Sequence, residues 1–449
     1  MGISRREYRR RREGLVERLV PNSLVIVPAA SEVQRSRATC YPFRQDSDFS
    51  YLCGFPEPDA LLVLVPGRAA GETLLFCRER DPDVERVEGA RCGPERACER
   101  YDVDDAFPIA DLDDILSGLI EGRDCIYYAL GRQPALDARL QSILEFLGKA
   151  PDASDRPQLA DLDHHLHDLR LYKSAAELRL LREAAEISAR AHCRAMRFCQ
   201  PGEQEYRLEA EILHEFHSAG ARQPAYPAIV AGGVNACTLH YTANVSVLRR
   251  GDLVLVDAGC EWQGYAADIT RTFPVSGRFS GPQRALYEVV LASQKAAIDA
   301  AQTGSHWDMP HQASVRVLAE GLRDLGLLEG ALDDIIAGES YRRFYMHRSG
   351  HWLGMDVHDV GDYRIAGAWR QLEPGMVLTV EPGLYIAPDD ASVPAQFRGL
   401  GIRVEDTVAI TRGGNEVLSA NVPKEVQDIE HLMRETAATF ASPQQLLEI

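Results

Sequence analysis

Apolar residues recur along this chain with two different periods, and the switches between them mark out its elements. Short β-prone runs stand at Leu24-Val-Ile-Val27, Ala60 to Val65 and Thr73-Leu-Leu-Phe76, separated by Gly and Pro. They read as strands of a compact α/β domain. Between about Pro151 and Lys173 the sequence turns polar and rich in Asp and His. That shift predicts a linker and a domain boundary near residue 172, giving domains 1–172 and 173–449.

Beyond the boundary the period becomes helical. Ser174-Ala-Ala-Glu177 is a capping box opening a long helix with Leu178, Leu181, Ala184, Ala191, Ala195 and Phe198 on one stripe, and Pro201-Gly202 ends it. A second helix is predicted over about Glu205 to Ala219, stopped by Gly220, and then Leu253 to Asp257 and Ala267 to Pro274 form a hairpin. The same order recurs: helices over about Pro282 to Gln302 and Pro310 to Leu325, then strands at Val377-Leu-Thr-Val-Glu381 and Gly401-Ile-Arg-Val-Glu405. A helix pair followed by antiparallel strands, twice over, is an internal duplication of α+β type, with a site expected where its halves meet.

The 449 residues exceed one ordinary core, which agrees with two domains. Against 49 Lys and Arg stand 67 Asp and Glu, a net charge of -18 that argues against nucleic acid or an anionic membrane as partner. The basic run Arg5, Arg6, Arg9 to Arg12 alternates with Glu7, Glu13 and Glu17 and reads as a solvated helix face. No apolar segment reaches the length of a signal core or membrane span, so the cytoplasm is the expected compartment. Ten cysteines without a Cys-x-x-Cys pair fit reduced thiols packed as small apolar groups.

Four strand ends carry a carboxylate: Asp257, Asp268, Glu381 and Glu405. One acid after an apolar strand is ordinarily the chain surfacing, but four in matching places are not explained that way. A loop of two or four residues near Trp262-Gln263-Gly264 would put Asp257 and Asp268 on one face, opposite or diagonal, whereas a three-residue loop would separate them. Carboxylates buried together need compensating positive charge. His347, His351 and His358, within one Gly-punctuated stretch, offer candidate nitrogen ligands. One histidine with four carboxylates is an oxygen-rich set that suits Mn²⁺, with Co²⁺, Zn²⁺ or Fe²⁺ able to bind the same frame. Four acids can serve two ions about 3.5–4 Å apart, between which a water loses its proton near neutral pH. The tract Asp163-His-His-Leu-His167-Asp168 reads instead as a solvated turn in the linker.

Several of these segments together resemble one family. They are Tyr41-Pro-Phe-Arg-Gln-Asp-Ser-Asp-Phe49, Asp257-Ala-Gly-Cys-Glu261, Asp268-Ile-Thr-Arg-Thr-Phe-Pro-Val275, His351-Trp-Leu-Gly-Met-Asp-Val-His-Asp-Val-Gly361, Val380-Glu-Pro-Gly-Leu-Tyr-Ile386 and Gly401-Ile-Arg-Val-Glu-Asp406. The chain resembles the aminopeptidase P branch of the pita-bread metallopeptidases over nearly its whole length. The resemblance implies a creatinase-like α/β N-terminal domain, an α+β pita-bread catalytic domain with pseudo-two-fold duplication, and a homo-oligomer, dimer or tetramer. It further implies two Mn²⁺ held by Asp257, Asp268, His351, Glu381 and Glu405, bridged by Asp268 and Glu405. His240 would contact the substrate carbonyl, His347 and His358 would line the pocket, and Arg403 and Tyr385 would support the ligands from behind. The chain departs from the family at Val87, where relatives carry a shielding tryptophan, at Ala38, where they carry an acid, and at Gly350, where a serine is common and the change has no evident consequence.

The activity so implied is hydrolysis of the N-terminal Xaa-Pro bond of a peptide by a hydroxide bridging the metals, with Glu381 as general base and also a ligand. Because proline lacks an amide N–H, its site must recognise shape, which suits rings such as His358 and Trp352. The rival readings are a prolidase restricted to Xaa-Pro dipeptides and a peptide-binding module without catalysis.

Overall fold

The structure, a computed structural model, describes residues 2–147 and 156–435, and it divides into two compact units between Arg170 and Leu171. In the first unit a mixed six-stranded sheet runs in the order Asp105–Pro108, Thr73–Cys77, Leu61–Leu64, Ser23–Pro28, Cys125–Tyr127 and Gln158–Ala160. The two central strands are buried along nearly their whole length, which is why they stand out in the sequence as continuous apolar runs. Thr73–Cys77, also buried throughout, gave the same signal, whereas Asp105–Pro108, Cys125–Tyr127 and Gln158–Ala160 are short or half-buried and gave none.

Two expectations for this unit are corrected. The basic run does form a helix, Arg5–Val16, capped by Ser4, but Arg11 and Arg12 are only 3% and 4% exposed. Their guanidinium groups donate to the carbonyls of Tyr51 and Leu52, each at 3.0 Å, satisfying the otherwise unpaired last turn of helix Ser47–Cys53. The stretch read as a linker lies partly outside the described residues. From residue 156 it contains strand Gln158–Ala160 and helix Asp163–Leu171, whose His167 approaches Asp48 Oδ2 at 3.3 Å. Asp48 is held well below the usual carboxylate range. Burial opposes this, but His167 and Arg170 outweigh it. That tract is an ion-paired helix face, not a solvated turn.

The second unit shows the duplication. Helices Ala175–Phe198 and Glu205–Ser218 precede an antiparallel sheet of Ile229–Gly232, Leu253–Asp257 and Thr270–Pro274. Helices Gly281–Ala300 and Met309–Asp324 precede one of Val377–Val380, Asp406–Thr411 and Gly414–Val417. The capping box at Ser174 and Glu177 is present.

Register delivers the acids. Strand Leu253–Asp257 pairs with Thr270–Pro274 so that Asp257 faces Thr270. The same register continues past a break in the ladder, through Ala258 N to Ile269 O at 3.1 Å and Ala267 N to Cys260 O at 2.9 Å, to the pair Trp262 and Tyr265. The loop is the two residues Gln263 and Gly264, both at positive φ, 51° and 81°, as a mirror-image hairpin turn requires. Asp257 and Asp268 are therefore diagonal neighbours on one face. In the second half, Val380 faces Asp406 and Gly383 faces Arg403, and the residues between them keep that register, which sets Glu381 opposite Glu405.

The break beside the aspartates depends on Gly259, where a Cβ would lie 1.7 Å from the Ala267 carbonyl oxygen. Gly259→Ala is expected to cost about 1–3 kcal/mol or more, read as a fall in Tm in chelator. An unchanged Tm would contradict this close approach.

Candidate metal centre

The four strand-end acids meet at one cavity of about 450 Å³ in the second unit, together with His240, His347, His351, His358 and Arg403. Asp257, Asp268 and Glu405 are 9%, 5% and 2% exposed. Ligand atoms of Asp268, His351 and Glu405 all lie within 4.8 Å of one another, as a shared cation requires. His351 Nε2 stands 3.3 Å from Asp268 Oδ2 and 3.6 Å from Glu381 Oε1.

Protein groups satisfy this cluster only partly. Arg403 donates from Nη2 to Asp257 Oδ2 at 2.5 Å and from Nε to Thr270 Oγ1 at 3.1 Å, and the Thr270 hydroxyl donates to Glu405 Oε2 at 2.7 Å. One guanidinium thus reaches carboxylates of both hairpins. The Tyr226 hydroxyl lies 2.7 Å from Asp257 Oδ1 and 2.5 Å from Asp268 Oδ1, but it has a single proton to donate.

The deficit appears in the proton affinities. Burial pushes Asp257 up, Arg403 opposes it, and the neighbouring Asp268 adds to it. Glu405 is raised well above the carboxylate range by burial and by Asp268 and Glu381. Glu381 is pushed up to about 7, again by burial first, against the pull of His351 and Arg403. His351 moves to about 9: burial disfavours its charge, but Asp268 and Glu381 outweigh it. Asp406, the next residue after Glu405, is the contrast. It is equally buried, yet it receives Arg271 Nη2 at 2.7 Å, Lys424 Nζ at 2.6 Å, the Ser419 hydroxyl at 2.7 Å and Gln294 at 2.7 Å. Its pKa is lowered, because Arg271 and Lys424 overcome the cost of burial. Successive strand residues point to opposite faces, so one acid enters a finished ion-pair network and the other an unfinished one.

The donors fit a divalent cation. His351 Nδ1 lies 2.9 Å from the Trp352 carbonyl, which can only accept, so Nδ1 carries the proton and Nε2 is turned toward the acids. A parallel chain fixes His347: Arg403 Nη1 donates to the Tyr385 hydroxyl at 3.1 Å, that hydroxyl meets His347 Nε2 at 2.9 Å, and His347 Nδ1 reaches the Arg348 carbonyl at 2.7 Å. Burial and then Arg403 lower His347 to about 4, so it is neutral. His358 stands edge-on to His351 at 4.2 Å between ring centres, and burial lowers it as well. His240 is exposed at the cavity rim.

Trp352 is corrected as a pocket wall. It is fully buried, stacked on Tyr363 and packed on Trp307, behind the histidine whose Nδ1 its carbonyl holds. Gly350 also matters more than expected, since a Cβ there would sit 2.1 Å from the Thr379 carbonyl oxygen. Val87 is 86% exposed and Ala38 is exposed, both in the first unit. Tyr226 and Thr270 escaped the sequence reading. Tyr226 sits in a Pro-Ala-Tyr-Pro segment with no period, and Thr270 looks like an ordinary strand residue.

The metallopeptidase family M24 model matches residues 179–412, and that of the aminopeptidase P N-terminal domain matches residues 8–127. The chain belongs to metallopeptidase family M24. Within that family it is similar to Xaa-Pro aminopeptidases: 48% identical to that of Escherichia coli, over 96% of this chain and 98% of the relative, and 35% identical to human Xaa-Pro aminopeptidase 3, over 96% and 86%. Among solved structures it resembles Pseudomonas aeruginosa aminopeptidase PepP, at 55% identity and TM-score 0.96 over 97% of this chain and 99% of that one. Zinc-substituted E. coli aminopeptidase P in complex with product gives 47% and 0.94, over 97% and 99%. The second unit has the pita-bread fold, preceded by the N-terminal domain of aminopeptidase P.

The raised groups dictate how the metal-free protein responds to pH. The neutral form of Glu381 is favoured by folding, so its stabilisation is complete below 4.5 and is lost as pH rises to about 7. The charged form of His351 is favoured, so its share is complete below 6.5 and is lost toward about 9. In chelator, Tm should fall between about pH 6.5 and 9, above the range in which buried histidines lowered to about 4, such as His347, gain stability with rising pH, and the increase produced by a divalent cation should grow over the same range as binding displaces protons. A metal-free Tm that climbs across this interval would contradict the assignment.

Proposed function

We propose that this chain is a metal-dependent aminopeptidase that removes the residue preceding proline at a peptide N-terminus, with two divalent cations held by Asp257, Asp268, His351, Glu381 and Glu405. The observation that carries the reading is the convergence of four acids and one oriented imidazole on a cavity with too little positive charge of its own. The oxygen-rich set favours Mn²⁺, and Co²⁺, Zn²⁺ or Fe²⁺ suit the same donors. Bound cations supply a water acidified to near neutrality and polarise the scissile carbonyl.

The remaining roles fall to the chain's own groups. Glu381, in the cavity wall beside His351, accepts the proton given up by the attacking water. His240, at the cavity wall, stabilises the charge that develops on the carbonyl oxygen. Arg403 and Tyr385 hold Asp257 and His347 in place. Proline offers no amide N–H, so the imidazole of His358 and the apolar side chains of Ile229, Leu239 and Val357 recognise it by shape. Ten unpaired cysteines accord with a reducing compartment such as the cytoplasm.

Protein stripped with chelator should lose hydrolysis of an Xaa-Pro-Xaa tripeptide and regain it on addition of Mn²⁺. Asp268→Ala should lower kcat at least about 100-fold, more than the loss of an outer hydrogen-bond partner costs. Cleavage of Xaa-Pro dipeptides with longer peptides left intact would make the enzyme a prolidase instead. Full manganese-dependent activity in Asp268→Ala would overturn the metal assignment.

A further inference from the structure

The loop carrying His351 is anchored away from the cavity by a buried ion pair. Lys173 Nζ lies 2.9 Å from Asp359 Oδ2, and both side chains are 1% exposed. The pair is packed against backbone: a Cβ at Gly354 would lie 2.1 Å from Asp359 Oδ2 and 2.9 Å from Lys173 Cε. Lys173 is itself tied by its N–H to the Gly375 carbonyl at 2.8 Å, in the turn that leads into strand Val377–Val380.

The other end of the device touches the site. The Asp359 N–H donates to the Trp352 carbonyl at 2.9 Å, the same oxygen that takes the proton of His351 Nδ1 at 2.9 Å. One acceptor therefore joins the anchored backbone to the imidazole. Two charges taken from water to this depth recover little net stability over an apolar pair of the same size. What an ion pair adds over an apolar one is direction, and here it points the loop.

We propose that Lys173 and Asp359 are positioning residues for His351. By fixing the Trp352 carbonyl they set the ring rotation and tautomer that turn Nε2 toward Asp268 and Glu381. The inference rests on the reading of His351 as a metal ligand.

Calorimetric titration of the chelator-stripped full chain with Mn²⁺ tests it, with folding of each variant checked by circular dichroism. Lys173→Met and Asp359→Asn should each raise the dissociation constant about 10- to 100-fold. In a His351→Ala background the same substitutions should change it less than about twofold, because the coupling runs through that ring. Should Asp359→Asn fail to fold, Lys173→Gln, which keeps a donor but not the charge, carries the comparison. Dissociation constants that stay at the wild-type value while Tm in chelator falls would mean that the pair only stabilises, and the inference would be wrong. Losses that add in full to that of His351→Ala would also overturn it. A wild-type chain that takes up no Mn²⁺ would remove the metal-site reading and this inference together.

Discussion

The organising constraint is electrostatic: four carboxylates share one cavity wall, and Arg403 is the buried guanidinium set directly against them. In water such acids would keep apart. Inside the protein, each must gain a cation, accept a proton or be expelled. The upward displacement of Asp257, Glu381 and Glu405 is that unresolved choice expressed as proton affinity. Hydrogen bonding is spread thinly over it, with one tyrosine proton between two aspartates and one threonine hydroxyl linking Arg403 to Glu405.

Two hairpins deliver these acids by different offsets. In the first, Asp257 and Asp268 are diagonal, because the register sets Asp257 opposite Thr270. In the second, Glu381 and Glu405 are directly opposed. The offset leaves room at position 270 for a hydroxyl that connects the halves, and Gly259 opens the ladder where the diagonal pair must turn inward. Duplication of the scaffold therefore does not mean duplication of the site. Each half presents its acids at a different spacing.

Much of this was legible in the residues alone. Period, capping signals and turn chemistry placed the helices and hairpins of the second unit, and an odd or even hairpin loop was enough to state when Asp257 and Asp268 would share a face. Legibility failed where a side chain acts through a partner distant in sequence. Arg11 and Arg12 look like a solvated charge run because their acceptors are main-chain carbonyls some forty residues on. His167 looks like part of a polar turn because its partner Asp48 lies 119 residues earlier. Trp352 beside a candidate ligand suggests a pocket wall, yet alternation turns its ring into the core while its carbonyl does the work at the site. Tyr226 and Lys173 carry no local pattern at all, since a single hydroxyl or ammonium has meaning only once its acceptors are in place.

The adjacent residues Glu405 and Asp406 show that the charge deficit is a property of the site and not of the fold. Both are buried acids on one strand end, within the same unit and a few ångströms of backbone. On one face the protein supplies Arg271, Lys424, Ser419 and Gln294, and the carboxyl of Asp406 stays ionised without outside help. On the other face it supplies Thr270 and the shared influence of Arg403, and Glu405 binds a proton far more tightly than usual. A second arginine toward the cavity would have completed that network and stabilised the empty protein. It would also have occupied the space and the oxygen lone pairs that a cation needs. The strand builds a closed ion pair and an open one from neighbouring residues, and only the open one can exchange a proton for a metal.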